Sequence, residues 1–100
     1  MNINFEYDHV KASERLEELT TKKLDKLESH YDFIVAADVY FKTENTTEVD
    51  TGMICGIRLN IKGSTLFAES SNGSFEASIH EVTDELNRQL RKKKDMMKSY

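Results

Sequence analysis

The residues with the clearest chemical potential form a basic run near the end of the chain, in the segment LNRQLRKKKD at residues 86–95. The protein as a whole is acidic, with a formal net charge of -4 at pH 7. Residues 1–85 hold 8 Lys and Arg against 17 Asp and Glu, whereas residues 86–100 hold 6 against 1. This asymmetry indicates an anionic partner for the basic end. The cations of the run are Arg88, Arg91, Lys92, Lys93 and Lys94.

Spacing alone leaves two interpretations of this basic run. The negative end of a helix dipole favours cations, but by only about 0.3–1 kcal/mol per charge, and the effect fades beyond the last turn. Five cations between Arg88 and Lys94 repel one another and exceed what that effect needs. Phosphate binding is therefore the favoured interpretation, and a favourably charged helix end is the alternative.

A second group of cations lies in residues 13–30, where apolar side chains recur with the helical period. At about 100° per residue, these cations share one arc of the predicted helix, and most of its acids share another. Ion pairs such as Glu18 with Lys22 explain part of this pattern, but not the separation by sign. If two helices pack side by side, their cations line one surface suited to phosphates. The cations of the arc are Arg15, Lys22, Lys23 and Lys26.

Catalytic and metal-binding patterns find little support. His9, His30 and His80 do not have the paired spacing that places two imidazoles on one helical face. Cys55, the only cysteine, falls on the apolar side of a predicted strand, where a buried and inert thiol is typical. The four glycines form no phosphate-binding loop. We therefore expect no enzyme activity, no cofactor, no metal site and no small-molecule substrate.

Length and pattern predict one α+β domain over residues 1–100, arranged β-α-β-β-β-α. The sheet is predicted to be mixed and four-stranded, with strands one and two parallel and both helices on one face. With no apolar run long enough to span a bilayer and no secretion signal, we expect a cytoplasmic protein without membrane contact. The predicted strands cover residues 2–8, 33–43, 51–62 and 65–71, and the helices cover residues 13–30 and about 75 onward.

Side-chain periodicity also predicts which residues are buried. The first helix should bury a stripe that includes Ala12 and Leu24, and the second a stripe that includes Leu86 and Met97. Val35 should join Ala37 and Val39 on the core side of the second strand. The opposite face of the sheet should stay open and carry an apolar cluster of Tyr40, Ile54 and Phe67.

The segments KKLDKLESHYD and AESSNGSFEASIHEVTDELNRQLRKKKD resemble the ribosome hibernation-promoting factor family, also called ribosome-associated inhibitor or ribosomal subunit interface proteins. The resemblance implies a domain that binds rRNA of the small ribosomal subunit, in the path of mRNA and tRNA, and inhibits translation in stationary phase or stress. It carries RNA contacts over to Lys23, Lys26, Arg88, Lys92 and Lys94. Arg91 and Lys93 lie in the same run outside its fixed letters, and Lys22 belongs to the arc on the first helix.

The sequence departs from the family at the start of the last helix, in residues 72–76, and also at His80 and Glu85. Contacts from the beginning of that helix are therefore not predicted. Ending at Tyr100, the chain resembles the short form, without the domain that pairs two ribosomes in long forms. A separate ribosome-dimerising factor is then a further partner to consider.

Two other functions remain as alternatives. A double-stranded RNA-binding module outside the ribosome would use the same basic surface, because A-form RNA is recognised through phosphates and 2′-hydroxyls. A protein-interaction module, for example one that modulates a sigma factor, would use the open face of the sheet instead.

Overall fold

Six elements follow one another in the predicted order, β-α-β-β-β-α. The computed structural model describes residues 1–97, so the last three residues of the predicted domain, Lys98 of the basic end among them, lie outside the described residues. The strands are β1 (Asn2–Asp8), β2 (Ile34–Thr43), β3 (Met53–Ile61) and β4 (Ser64–Asn72). The helices are α1 (Glu14–His30) and α2 (Phe75–Met97).

Serine side chains fix where both helices begin. The Ser13 hydroxyl accepts a hydrogen bond from the Leu16 amide at 3.2 Å, and the Ser74 hydroxyl accepts one from the Ala77 amide at 3.2 Å. Each bond satisfies one of the amides that a helix leaves unpaired in its first turn. Acidic side chains in the first turn, such as Glu14 and Glu76, add a favourable interaction with the helix dipole.

The strands form one mixed sheet in the order β1-β2-β3-β4. As predicted, β1 and β2 are parallel, and β2, β3 and β4 are antiparallel neighbours. The tight turn between β3 and β4 contains Gly63 at φ 84, a backbone conformation that favours glycine. Because parallel neighbours cannot be joined by a tight turn, α1 serves as the crossover connection between β1 and β2.

Both helices bury their apolar stripes against one face of the sheet, in a single core. Leu24 of α1 and Leu86 of α2 are fully buried, together with Val39 and Ile57 of the sheet. Two threonines inside the helices, Thr20 and Thr83, are also buried, and each hydroxyl donates to a backbone carbonyl four residues earlier. For these two threonines, a hydrogen bond compensates for the loss of water on burial.

Two predictions about which strand side chains are buried are wrong. Val35 is 54% exposed, because a β-bulge between Ile34 and Ala36 adds one residue to β2 and turns Val35 away from the core. Ile54 lies on the open face of the sheet, as predicted, but it is buried instead of exposed. It lies at the end of the sheet where the 44–52 loop returns, with the Gly52 amide donating to the Ser71 hydroxyl at 2.8 Å.

Two predictions about the ends of the helical stripes are also wrong. Ala12 is exposed because α1 begins only at Glu14, after the capping serine. Met97 is 39% exposed at the end of α2, beyond Leu90, the last buried residue of that helix. The apolar pattern extends past the packed part of each helix, but a residue is buried only where a neighbouring element packs against it. Within residues 1–97, no helix is both long enough and apolar enough to cross a membrane.

The two helices run in the same direction. Near their beginnings, Arg15 of α1 pairs with Glu76 of α2, and farther along the Tyr31 hydroxyl, just past the end of α1, donates to Asn87 at 3.0 Å. Residues near the start of α1 thus contact the start of α2, and residues near its end contact a later part of α2. Since each helix has its negative dipole end at its C-terminus, both negative ends lie toward the same end of the molecule.

Candidate nucleic-acid interface

A groove between α1 and α2 brings together four of the cations predicted to bind RNA. Lys23 and Lys26 of α1 line a cavity of about 160 Å³ together with His30 and Asn87. His30 and Asn87 also line an adjoining cavity of about 420 Å³, to which α2 contributes Arg91 and Lys94. We call this continuous surface the interhelical groove; its cations and shared residues are Lys23, Lys26, His30, Asn87, Arg91 and Lys94.

The wall of the interhelical groove is held in place by Tyr31. This residue is buried, its hydroxyl donates to Asn87, and the ammonium of Lys94 lies 5.6 Å from the centre of its ring. A cation over an aromatic ring is attracted by the electron density of the ring face. The side chain of Lys94 is therefore directed along the groove rather than left free in solvent.

Carboxylates reduce the charge of the groove without cancelling it. Asp84 lines the smaller cavity and Asp95 lines the larger one. Four cations thus face two acids along the groove. Because screened charges act over only about 8 Å at physiological salt, the distant acids of the chain weaken this local excess little.

The predicted site residue Lys22 lies outside the groove. It lines a shallow surface depression with acidic neighbours on the far side of α1, which are Glu14, Glu17, Glu18 and Asp25. One residue of helix turns a side chain by about 100°, and this separates Lys22 from Lys23. Lys22 is accordingly surrounded by carboxylates that compete with any phosphate.

Three further predicted residues lie on α2 but do not line the groove. Arg88 is exposed, and its Nε donates to the Glu85 carboxylate at 2.9 Å. This pair lowers the pKa of Glu85 and leaves Arg88 with a carboxylate to release before it can bind phosphate. Lys92 is exposed, whereas Lys93 is half-buried, as expected for a lysine whose stem follows the apolar stripe.

Arg15, the remaining cation of the predicted arc, acts as a link between helices. Its guanidinium pairs with the Glu76 carboxylate at the start of α2, and this hydrogen bond lowers the pKa of Glu76. The helical angle alone grouped Arg15 with the other cations. Its partner comes from a distant segment, so no pattern within α1 indicates the pair.

Side chains capable of covalent or metal chemistry are not assembled in the described part of the chain. Burial on the core side of β3 raises the pKa of the Cys55 thiol to about 12 and keeps it protonated. Residues 1–97 contain no group of three His, Cys, Asp or Glu that could hold a metal ion. Among these residues, the interhelical groove offers positive charge and hydrogen-bonding groups.

Sequence reasoning missed the groove residues that are neither lysine nor arginine. His30 and Asn87 line both cavities and Tyr31 lines the larger one, yet each belongs to a type that is common on any helix or loop. A usable signal was the position of His30 and Asn87, each about one helical turn from a cation of its own helix, Lys26 and Arg91. That signal required knowing that the helices run parallel.

Fold and groove together define a class: small α+β domains in which two parallel helices on one face of a mixed sheet form a basic groove. The chain belongs to the family described as Sigma 54 modulation protein / S30EA ribosomal protein, whose sequence profile matches residues 3–98. This membership agrees with the resemblance found in the sequence.

Relatives and solved structures support the same assignment. The chain is 31% identical over 100 residues to the ribosome hibernation promoting factor of Escherichia coli strain K12, with 100% of both chains covered. It is 29% identical over 99 residues to the protein of the same name from Pseudomonas putida KT2440, covering 99% of this chain and 92% of the relative.

Among solved structures, a ribosomal subunit interface protein from Coxiella burnetii superposes with a TM-score of 0.80 at 25% identity, over 95% of this chain and 99% of the other. The Thermus thermophilus Protein Y N-terminal domain superposes with a TM-score of 0.78 over 92% of this chain and 98% of the other. At 19% identity, that second likeness concerns the fold alone.

Proposed function

We propose that this protein is a ribosome hibernation factor that binds rRNA of the small subunit in the mRNA and tRNA path and inhibits translation in stationary phase or stress. The observation that carries the proposal is the interhelical groove, where lysines of α1 and basic residues of α2 share one surface. Family membership and the names of the relatives favour the same role. Such a role places the protein in the cytoplasm.

The groove suits a folded RNA better than an isolated anion. Lys26 and Arg91 lie on different helices, so successive phosphates of one backbone can contact both. Arginine presents a planar fork of donors for a phosphate, whereas lysine acts as a point charge. We infer that Lys23, Lys26, Arg91 and Lys94 form the principal contacts, and that Arg88, Lys92 and Lys93 add contacts along the exposed side of α2.

Inhibition in this proposal results from occupancy, not from chemistry. The thiol of Cys55 is buried and protonated, so it is not available as a nucleophile. A protein that blocks the mRNA and tRNA path must remain bound to act. Inhibition of translation should therefore be stoichiometric with ribosomes and relieved by competing initiation components. A separate factor that dimerises ribosomes is compatible with this mode.

The test is co-sedimentation with ribosomes and with isolated subunits, using a charge-reversed groove and a matched control. Lys26→Glu with Arg91→Glu should lower ribosome binding by about two orders of magnitude, since repulsion replaces attraction at two phosphates. Lys11→Glu with Lys62→Glu makes the same change in net charge at exposed residues away from the groove, and should bind nearly as well as the parent.

Three outcomes would contradict the proposal. One is equal loss of binding in the two double variants, which would indicate net charge instead of a groove. Another is unchanged co-sedimentation of a folded Lys26→Glu, Arg91→Glu variant. The third is multiple-turnover RNA cleavage at substoichiometric protein. Binding to free duplex RNA but not to ribosomes would favour the alternative RNA-binding module.

A further inference from the structure

The open face of the sheet, on the side opposite the helices, carries charge of the opposite sign. Strand register and alternation place four acids and two cations on this face. The acids are Glu6, Asp8, Asp38 and Glu69, and the cations are Lys42 and Arg58. We call this surface the open sheet face.

An aromatic platform lies at the centre of the open sheet face. Tyr40 lies across β3 at Gly56, and its hydroxyl donates to Glu69 on β4. Only glycine fits beneath the ring, because a Cβ at residue 56 would overlap the ring atoms of Tyr40. Phe67 stacks beside Tyr40, with ring centroids 6.4 Å apart and planes 22° from parallel. The platform is therefore built by specific contacts and is not a chance exposure.

A groove of about 340 Å³ borders the platform and places carboxylates beside the rings. It is lined by Glu6, Asp38, Tyr40, Arg58 and Phe67, among others. Phe67 is 48% exposed. Within the described residues, Glu6 has no ion-pair partner, and Asp38 accepts only a neutral donor, Asn4 Nδ2 at 3.1 Å. Two carboxylates thus face the platform without a paired cation.

Exposed ring faces beside carboxylates match the chemistry of an arginine side chain. A guanidinium stacks on aromatic rings and forms forked hydrogen bonds with a carboxylate. The chain already shows the attraction, since its own Lys42 ammonium lies 5.4 Å from the centre of the Tyr40 ring. A phosphate backbone fits poorly, because Glu6 and Asp38 repel it.

We propose that the open sheet face is a second binding surface, which takes an arginine-containing extended segment of a basic protein. One arginine stacks on Phe67 and Tyr40 while its guanidinium pairs with Asp38 or Glu6. Arg58, which lines the same groove, opposes the incoming cation and keeps the affinity modest. The surface is separate from the interhelical groove, so this inference does not depend on the proposed binding of rRNA.

The test is a nuclear magnetic resonance titration of the ¹⁵N-labelled full chain. The probe is a blocked peptide of alternating glycine and arginine, and its control replaces every arginine with glutamine. The arginine peptide should shift the amide signals of Tyr40, Arg58 and Phe67, and the glutamine peptide should not. Shifts confined to the acidic side of α1, or equal binding of both peptides, would overturn the proposal.

Substitutions on the open sheet face, with a matched control on α1, test which side chains bind the peptide. Phe67→Leu, which keeps an apolar side chain but removes the ring, should weaken peptide binding about fivefold. Glu6→Gln with Asp38→Asn should weaken it by a similar factor, whereas Glu14→Gln with Glu18→Gln removes the same charge from α1 and should have little effect.

Arg58→Gln gives the most discriminating result. Removing a like charge should strengthen binding of the arginine peptide about twofold. An oligonucleotide stacked on the same rings would instead be deprived of a cation for its phosphates and bind more weakly. The proposal would be refuted if Arg58→Gln bound the arginine peptide more weakly than the parent. It would also be refuted if Glu14→Gln with Glu18→Gln weakened binding as much as Glu6→Gln with Asp38→Asn.

Discussion

The interhelical groove and the open sheet face are two charged surfaces built by opposite means. The groove collects cations from segments far apart in sequence, because parallel helices bring residues such as Lys26 and Arg91 to one line. The sheet face collects acids by alternation along neighbouring strands, as with Glu6 and Asp38. A net charge of -4 therefore describes neither surface. The partner of each is indicated by the local arrangement of charge.

The largest expected effect concerns the salt dependence of ribosome binding. The double variant Lys23→Gln with Lys26→Gln should bind ribosomes about tenfold more weakly at low salt. It should also make the slope of log K against log salt shallower by about 0.7–0.9 for each phosphate that is no longer neutralised. Binding is measured by sedimentation at several salt concentrations. Glu6→Gln with Asp38→Asn is the comparison and should leave the slope nearly unchanged; equal shifts in both would remove the distinction between the surfaces.

An intermediate effect concerns the pH dependence of stability, which tests whether the core around Cys55 excludes water. Burial holds the folded pKa of Cys55 at about 12, above its ordinary value of 9.0. High pH thus favours the unfolded chain, whose thiol ionises first, and stability should fall as pH rises from about 9 toward 12. By about pH 10 the loss should reach about 1 kcal/mol.

Urea unfolding of the parent and of Cys55→Ala, at about pH 8 and pH 10, measures this loss. The substitution removes the thiol, so the difference in stability between the two proteins should shrink at the higher pH. Tyr7 and Tyr40, whose pKa values burial also raises, are present in both proteins and cancel in the comparison. A constant difference would mean that water reaches Cys55.

The smallest expected effect lies at the boundary of the groove. Lys22→Gln should change ribosome affinity by less than about twofold, because Lys22 lies among the carboxylates of α1. Lys23→Gln, one residue later, should produce a clearly larger loss. A filter-binding or sedimentation assay of these two single variants tests the edge of the site. Equal losses would extend the site around α1 to include Lys22, as the helical arc alone suggested.

Local patterns predicted the elements of this fold well. Alternation in residues 2–8 and the serine cap at Ser13 act within a few neighbours, and the corresponding strand and helix begin where those signals lie. Val35 lies on the other face than predicted and Ile54 is buried instead of exposed, because a bulge and a returning loop depend on distant segments. Alternation assumes an uninterrupted register, and nothing in the residues around Val35 marks the insertion.

The charged surfaces were only partly predictable for the same reason. The angle on α1 grouped Arg15 with Lys26, but the carboxylate of Glu76 lies 61 positions away in sequence and separates their roles. Gly56 gave no signal as a strand residue, although it is what allows Tyr40 to lie across the sheet. Neutral and small residues shape both surfaces, and their importance appears only when the elements are packed together.

The parallel course of the two helices has a consequence for how the protein approaches a polyanion. Both helices begin beside acids, such as Glu14 and Glu76, and α2 ends in a basic run. The charged side chains therefore create a dipole moment along the helices, which opposes the backbone dipoles and outweighs their roughly half charge at each helix end. In the field of a polyanion, such a dipole turns the molecule so that its basic end leads during diffusion. Fewer collisions are then wasted in the wrong orientation, and the association rate gains most when little salt is present.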